Sequence, residues 1–106
     1  MKTIQEARAL LQSQLRVHLG FFPTPLHKLE AVSRDTGVNV WIKREDFSGM
    51  TLFGGNKIRK LEYLLGDARA KGCDMVITFG ATQSNHAMET ATAARKCGME
   101  PILFLA

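Results

Sequence analysis

Between Asn56 and Gly72 the apolar residues fall at helical spacing: Ile58, Leu61, Leu64, Leu65 and Ala68 share one face. Arg59, Glu62, Gly66 and Arg69 take the other side, so the pattern predicts an amphipathic helix with a solvated back. Lys57 interrupts the pattern. It falls inside the apolar stripe, in the first turn, directly after Gly54, Gly55 and Asn56.

Upstream, Thr3-Ile4-Gln5-Glu6 reads as a capping box opening a helix whose inner side is Ile4, Ala7, Leu10 and Leu11. That helix fades between Leu15 and Gly20. "FFPTPL" predicts extended backbone, because each proline pushes its predecessor out of the helical region. "HKLEAVSRDTG" predicts a short helix or turn ending at Gly37. In "VNVWIKRED", Val38, Val40 and Ile42 alternate with Asn39, Trp41 and Lys43, the pattern of a strand with two unlike faces. Trp41 and Phe53 read as core. A glycine-punctuated loop from Phe47 to Gly55 leads into the Lys57 helix, which Gly72 ends.

"MVITFG" is a continuous apolar run, which predicts a strand covered on both faces. A helix from about Ser84 to Cys97 follows, with Ala87, Thr90, Ala91, Ala94 and Cys97 inward and Met88, Thr92, Arg95 and Lys96 outward. Gly98 and the apolar "PILFLA" complete a parallel βαβ unit. The fold class is therefore α/β. The chain stops at Ala106 within or just after a buried-type strand, which predicts a truncated chain or one piece of a larger protein.

Composition narrows the function. A chain of 106 residues with formal charge +4 is one domain at most. Its lysines and arginines are scattered, most of them beside acids, and one Trp and one Tyr offer little stacking surface, so nucleic acid is not an expected partner. The run Lys43-Arg44-Glu45-Asp46 reads as a solvated, self-paired strand end. Cys73 and Cys97 make neither a metal motif nor a disulfide framework. The polar N-terminus lacks a signal peptide's apolar segment, and no apolar run spans a bilayer. A cytoplasmic protein without membrane association is expected.

Two places could carry chemistry. The first is Lys57. Its stem could simply lie along the stripe with the ammonium reaching water. Against that, a cation in the first turn faces the positive end of the helix dipole, a disfavoured choice by about 0.3–1 kcal/mol. Gly54-Gly55 also leaves room for something bulky. A lysine that is desolvated and crowded by positive charge exists more as the free amine, the form that attacks an aldehyde. A phosphate-binding loop is excluded, since no Ser or Thr follows the lysine.

The second place is "GATQSNHAME", at the carboxyl end of a parallel strand and the amino end of a helix, where open α/β sheets bind ligands. Unpaired N–H groups there attract a carboxylate or phosphate. Ser84 or Asn85 alone would satisfy a cap. The run Thr82 to His86 supplies more hydrogen-bonding groups than a cap needs. His86 has no companions at metal-ligand spacing, so no metal site is expected.

Together "GGNKIRKLEYLL" and "TFGATQSNH", with the family-like "FPTPL" and "VWIKRED", resemble the D-cysteine desulfhydrase and 1-aminocyclopropane-1-carboxylate deaminase family. These are pyridoxal-phosphate enzymes of the tryptophan-synthase-β fold type (fold type II), and the resemblance runs from about Phe22 to Ala106. It implies that Lys57 holds pyridoxal 5′-phosphate covalently and exchanges protons with the substrate. It implies cofactor contacts from Asn56 and Asn85, with Asn85 on the ring 3′-oxygen. Ser84, Asn85 and His86 would receive the substrate carboxylate, with Ser84 catalytic beside the reacting carbons.

The implied reaction cleaves D-cysteine, or a similar β-substituted amino acid, to pyruvate, sulfide and ammonia. Opening of 1-aminocyclopropane-1-carboxylate is the alternative. Histidine after Ser-Asn resembles the desulfhydrase branch, where the deaminase branch usually has glutamine. The family's glycine-rich phosphate cradle and the group facing the pyridine nitrogen have no counterpart in this sequence. Residues 1–50 would then begin the large domain and 51–106 the small one, with a homodimer expected for the complete protein. A further alternative is that the chain by itself is catalytically incomplete and serves as a folding or association module.

Overall fold

The computed structural model describes residues 1–49 and 55–106. The elements run α1 (Ile4–Gln12), β1 (Leu26–Lys28), α2 (Glu30–Thr36), β2 (Trp41–Lys43), a 3-10 turn (Glu45–Phe47), α3 (Lys57–Ala70), β3 (Met75–Gly80), α4 (Asn85–Lys96) and β4 (Glu100–Leu105). β1 and β2 pair antiparallel, His27 opposite Ile42. β3 and β4 pair parallel from Met75↔Glu100 to Gly80↔Leu105, with α4 as the crossover. The predicted α/β class and parallel βαβ unit are both present. The loop expected between Phe47 and Gly55 lies partly outside the described residues, as does Phe53.

Local chemistry explains the boundaries. Thr3 Oγ1 accepts from the Glu6 amide while a Glu6 oxygen accepts from the Thr3 amide, the expected capping box. α2 ends on Gly37 at φ 72°, and Gly72 and Gly98 follow α3 and α4 at φ 75° and 76°. A Cβ would be strained at such angles, so glycine is the residue that lets the chain turn away.

The core gathers Ile58, Leu61 and Leu65 of α3, Ala93 and Ala94 of α4, Met99, and Val17 and Leu19 from the strap joining α1 to β1. That strap corrects the sequence reading of α3. Glu62 and Gly66, expected on the solvated side, are buried, and Leu64, expected inside, is exposed. Glu62 and Gly66 lie one turn apart and form a track for the strap's backbone. The Val17 amide donates to the Glu62 carbonyl at 3.0 Å. A Cβ on Gly66 would come within 2.7 Å of the Leu15 carbonyl. The Glu62 side chain takes Arg16 Nε at 2.7 Å and the Leu19 and Gly20 amides at 2.8 and 3.1 Å. Backbone donors, which carry no hydropathy signature, fill this side of the helix.

Three other expectations change. β3 is covered on one face alone among the described residues. Thr78 is buried toward α4, whereas Met75, Ile77 and Phe79 are exposed, with Phe79 stacked on Phe104 at 5.1 Å. Trp41 is exposed because β1 and β2 form a two-stranded ribbon that leaves it on an open face. On α4, Ala87, Thr90 and Ala94 are buried as expected, but so are Glu89 and Ala93. Met88 and Thr92, expected outward, are half-buried.

Candidate active site

The residues singled out in the sequence fall at the starts of α3 and α4. Lys57 is the first residue of α3 and is half-buried. Asn56 before it is exposed and makes no side-chain cap. Ser84 caps α4, its Oγ accepting from the Ala87 amide at 3.2 Å. The sheet makes space for that serine: a Cβ on Gly80 would lie 2.9 Å from Ser84 Cβ and Oγ. Asn85, the first residue of α4, is exposed. Thr82 and Gln83 bond each other at 2.8 Å and are exposed.

His86 ties the two helices electrostatically. Burial pushes its imidazole below the ordinary value, and the nearby Lys60 and Lys57 ammonium groups push it further in the same direction. The ring is therefore neutral at neutral pH. Its Nδ1 is buried without a hydrogen-bond partner among the described residues. Such an atom suits a ligand's polar group. His86 also borders a pocket of about 300 Å³ whose walls include Leu61, Leu65, Ile77 and Thr90.

Of the residues singled out in the sequence, the structure brings Lys57 and His86 within electrostatic reach. It sets Ser84 and Asn85 at the start of the same helix as His86, and leaves Asn56 at the edge. Sequence reasoning passed over Glu89. It is 2% exposed, its Oε1 is also unpaired among the described residues, and it lies against Gly55. The available signal was a carboxylate four residues before Ala93, within a run of small inward-facing residues.

A half-buried amine, the amide end of a helix and an imidazole nitrogen unpaired among the described residues suit a ligand with an aldehyde and an anionic group. Residues 17–106 match the family described as pyridoxal-phosphate dependent enzyme. The chain belongs to that family.

Among individual relatives, a Pyrococcus abyssi protein provisionally named a 1-aminocyclopropane-1-carboxylate deaminase is 53% identical over 97 residues, covering 92% of this chain and 29% of its own length. The mitochondrial bifunctional D-cysteine desulfhydrase/1-aminocyclopropane-1-carboxylate deaminase of Arabidopsis thaliana is 45% identical over 87 residues, 82% of this chain and 21% of that protein. A crystal structure described as an ACC deaminase homologue superposes with a TM-score of 0.84 at 55% identity, over 92% of this chain and 30% of that one. The chain thus spans less than a third of these relatives. No helix among the described residues is long and apolar enough to cross a membrane.

Proposed function

We propose that the chain carries the lysine-bearing part of a pyridoxal-phosphate-dependent lyase that converts D-cysteine, or a similar β-substituted amino acid, with water to pyruvate, sulfide and ammonia. The observation that carries this reading is the half-buried Lys57 at the start of α3, whose ammonium is near enough to disfavour protonation of His86 on α4, an imidazole with a buried Nδ1 unpaired among the described residues. When bound, the cofactor supplies an electron sink for negative charge at the substrate's Cα.

The chain's own residues then divide the work. Lys57 offers the amine that takes the aldehyde, and later holds or returns the Cα proton. The Asn85 and His86 amides at the start of α4, with the Asn85 side chain, meet the carboxylate, since the Ala87 amide is already held by Ser84 Oγ. Ser84 Oγ, fixed by its cap, stands ready to donate or accept a proton beside the reacting carbons. A neutral His86 can offer or accept a hydrogen bond without adding a second cation beside the lysines. Asn56 completes the cofactor side of the turn. We further propose that residues 1–50 begin the larger domain of the complete enzyme and 51–106 the smaller, and that the complete enzyme is a cytoplasmic homodimer.

The names of the relatives favour a second substrate reading, 1-aminocyclopropane-1-carboxylate, whose deamination would use the same lysine. Parallel assays with D-cysteine and the cyclopropane substrate, scoring sulfide and keto acid, separate the two. Lys57→Ala should abolish both products along with the cofactor's visible absorbance. Retention of either would remove Lys57 from this role.

The open apolar face of Met75, Ile77 and Phe79 favours a reading for the chain on its own, as an association module. Sedimentation would then show self-association at micromolar concentration. A monomer would refute it.

A further inference from the structure

We propose that Glu89 is a positioning residue for Lys57: reaching from α4, its carboxyl group closes the open amide end of α3 and fixes the turn from Gly55 to Ile58 that aims the lysine. The functional meaning rests on the reading of Lys57 as the aldehyde-binding amine.

α3 begins without the usual supports. Asn56 makes no side-chain cap, and the first turn holds no acid. Instead Lys57 and Lys60 set two cations against the positive end of the helix dipole. Within the turn itself the Ile58 amide makes a long bond, 3.3 Å, to the Gly55 carbonyl, and the Arg59 amide another, 3.4 Å, to the Asn56 carbonyl. A weakly bonded amide end and two ammonium groups therefore meet where an anion is favoured.

Glu89 occupies that place. A Cβ on Gly55 would lie 3.2 Å from both carboxyl oxygens, so the glycine is what allows the acid to come up beneath the turn. The Ile58 amide, Lys57 and Lys60 all favour its ionised form, while burial, the largest influence, favours the protonated form and raises its pKa. Its Oε1 is buried and unpaired among the described residues. A carboxyl group kept in such surroundings carries a desolvation cost that an apolar residue would avoid. The charged groups that bear on it are Lys57 and Lys60 from α3. On its own helix, His86 one turn back is held neutral by burial and the same two lysines.

A carboxylate holds the turn more strongly than the neutral acid does, since a charged acceptor makes the stronger hydrogen bond to the Ile58 amide. The turn should tighten as Glu89 ionises, from its ordinary value of 4.5 upward. Amide hydrogen exchange on the full chain tests this, reading Ile58 relative to Leu65 in the middle of α3 across a pH series. In the wild type, Ile58 protection should rise at least about threefold through the ionisation of Glu89. Glu89→Gln should fold as well and show a flat profile. Glu89→Ala should lower Ile58 protection about tenfold at neutral pH.

A wild-type pH profile in Glu89→Gln, or unchanged protection in a folded Glu89→Ala, would overturn the proposal. Should the alanine variant fail to fold, the glutamine profile decides. Failure of Lys57 to take pyridoxal phosphate would instead strike the proposed function, leaving the exchange result to judge the turn alone.

Discussion

Glu62→Ala should loosen the body of the helix that carries Lys57, and its cost can be worked from the contacts. The Leu19 amide loses its 2.8 Å acceptor in a residue that is 2% exposed, worth about 1–3 kcal/mol for a buried unsatisfied donor. The Gly20 amide is part-buried and can take water instead, so it adds little. Breaking a fully buried ion pair costs about 3–5 kcal/mol. Arg16, however, has a side chain 36% exposed and regains solvent, so that share falls to about 1 kcal/mol.

The sum is about 3 kcal/mol, a large part of the stability of any small domain. Arg16→Ala should also destabilise, by about 1–3 kcal/mol, because the buried Glu62 carboxylate keeps its two amide donors but loses its cation. At this chain length about 3 kcal/mol lowers Tm by at least about 12 °C. Urea unfolding followed by circular dichroism at the helical band gives both numbers. A Glu62→Ala variant within about 1 kcal/mol of wild type, or an Arg16→Ala variant as stable as wild type, would refute the reasoning.

Further outcomes follow from other contacts. Gly66→Ala should destabilise despite the roughly 1 kcal/mol gain in helix propensity. Its Cβ would meet the Leu15 carbonyl and Arg16 amide at 2.7 and 2.8 Å, backbone atoms whose displacement costs about 1–3 kcal/mol; thermal melts would show a lower midpoint. Glu45 is held at about 2 by its hydrogen bonds to Arg59 and then Thr24, below the ordinary 4.5. The stability it adds is present above 4.5 and is lost as the pH falls toward 2, so Glu45→Gln should flatten that part of an acid-unfolding curve. Ser84→Ala removes the acceptor of the Ala87 amide and should cost about 0.5–2 kcal/mol in urea unfolding.

Much of the fold was legible because it rests on short-range chemistry. The Thr3–Glu6 capping box and the glycines closing α2, α3 and α4 stand where the sequence placed them. The βαβ unit followed from an apolar run, a helical period and a second apolar run. What stayed hidden is carried by partners distant along the chain. Glu62 and Gly66 read as a solvated face because the strap that covers them contributes amides and a carbonyl rather than apolar side chains. Glu45 read as self-paired with its neighbours, yet it bonds Arg59 of α3, while Arg44 and Asp46 do pair locally.

The site divides in the same way. Lys57 stood out as a cation inside an apolar stripe, and Ser84 to His86 as a polar surplus at a helix start. Glu89 gave little signal, since hydropathy marks a carboxylate as exposed and its burial depends on the approach of Gly55 from the segment that precedes α3.

The amine of Lys57 is the centre of the proposed chemistry. Incubating the protein with pyridoxal phosphate, reducing with borohydride and mapping the modified peptides by mass spectrometry tests it most directly. Modification concentrated on Lys57, and lost in Lys57→Ala, is the predicted result. Equal modification of Lys57, Lys60 and the other surface lysines would contradict it.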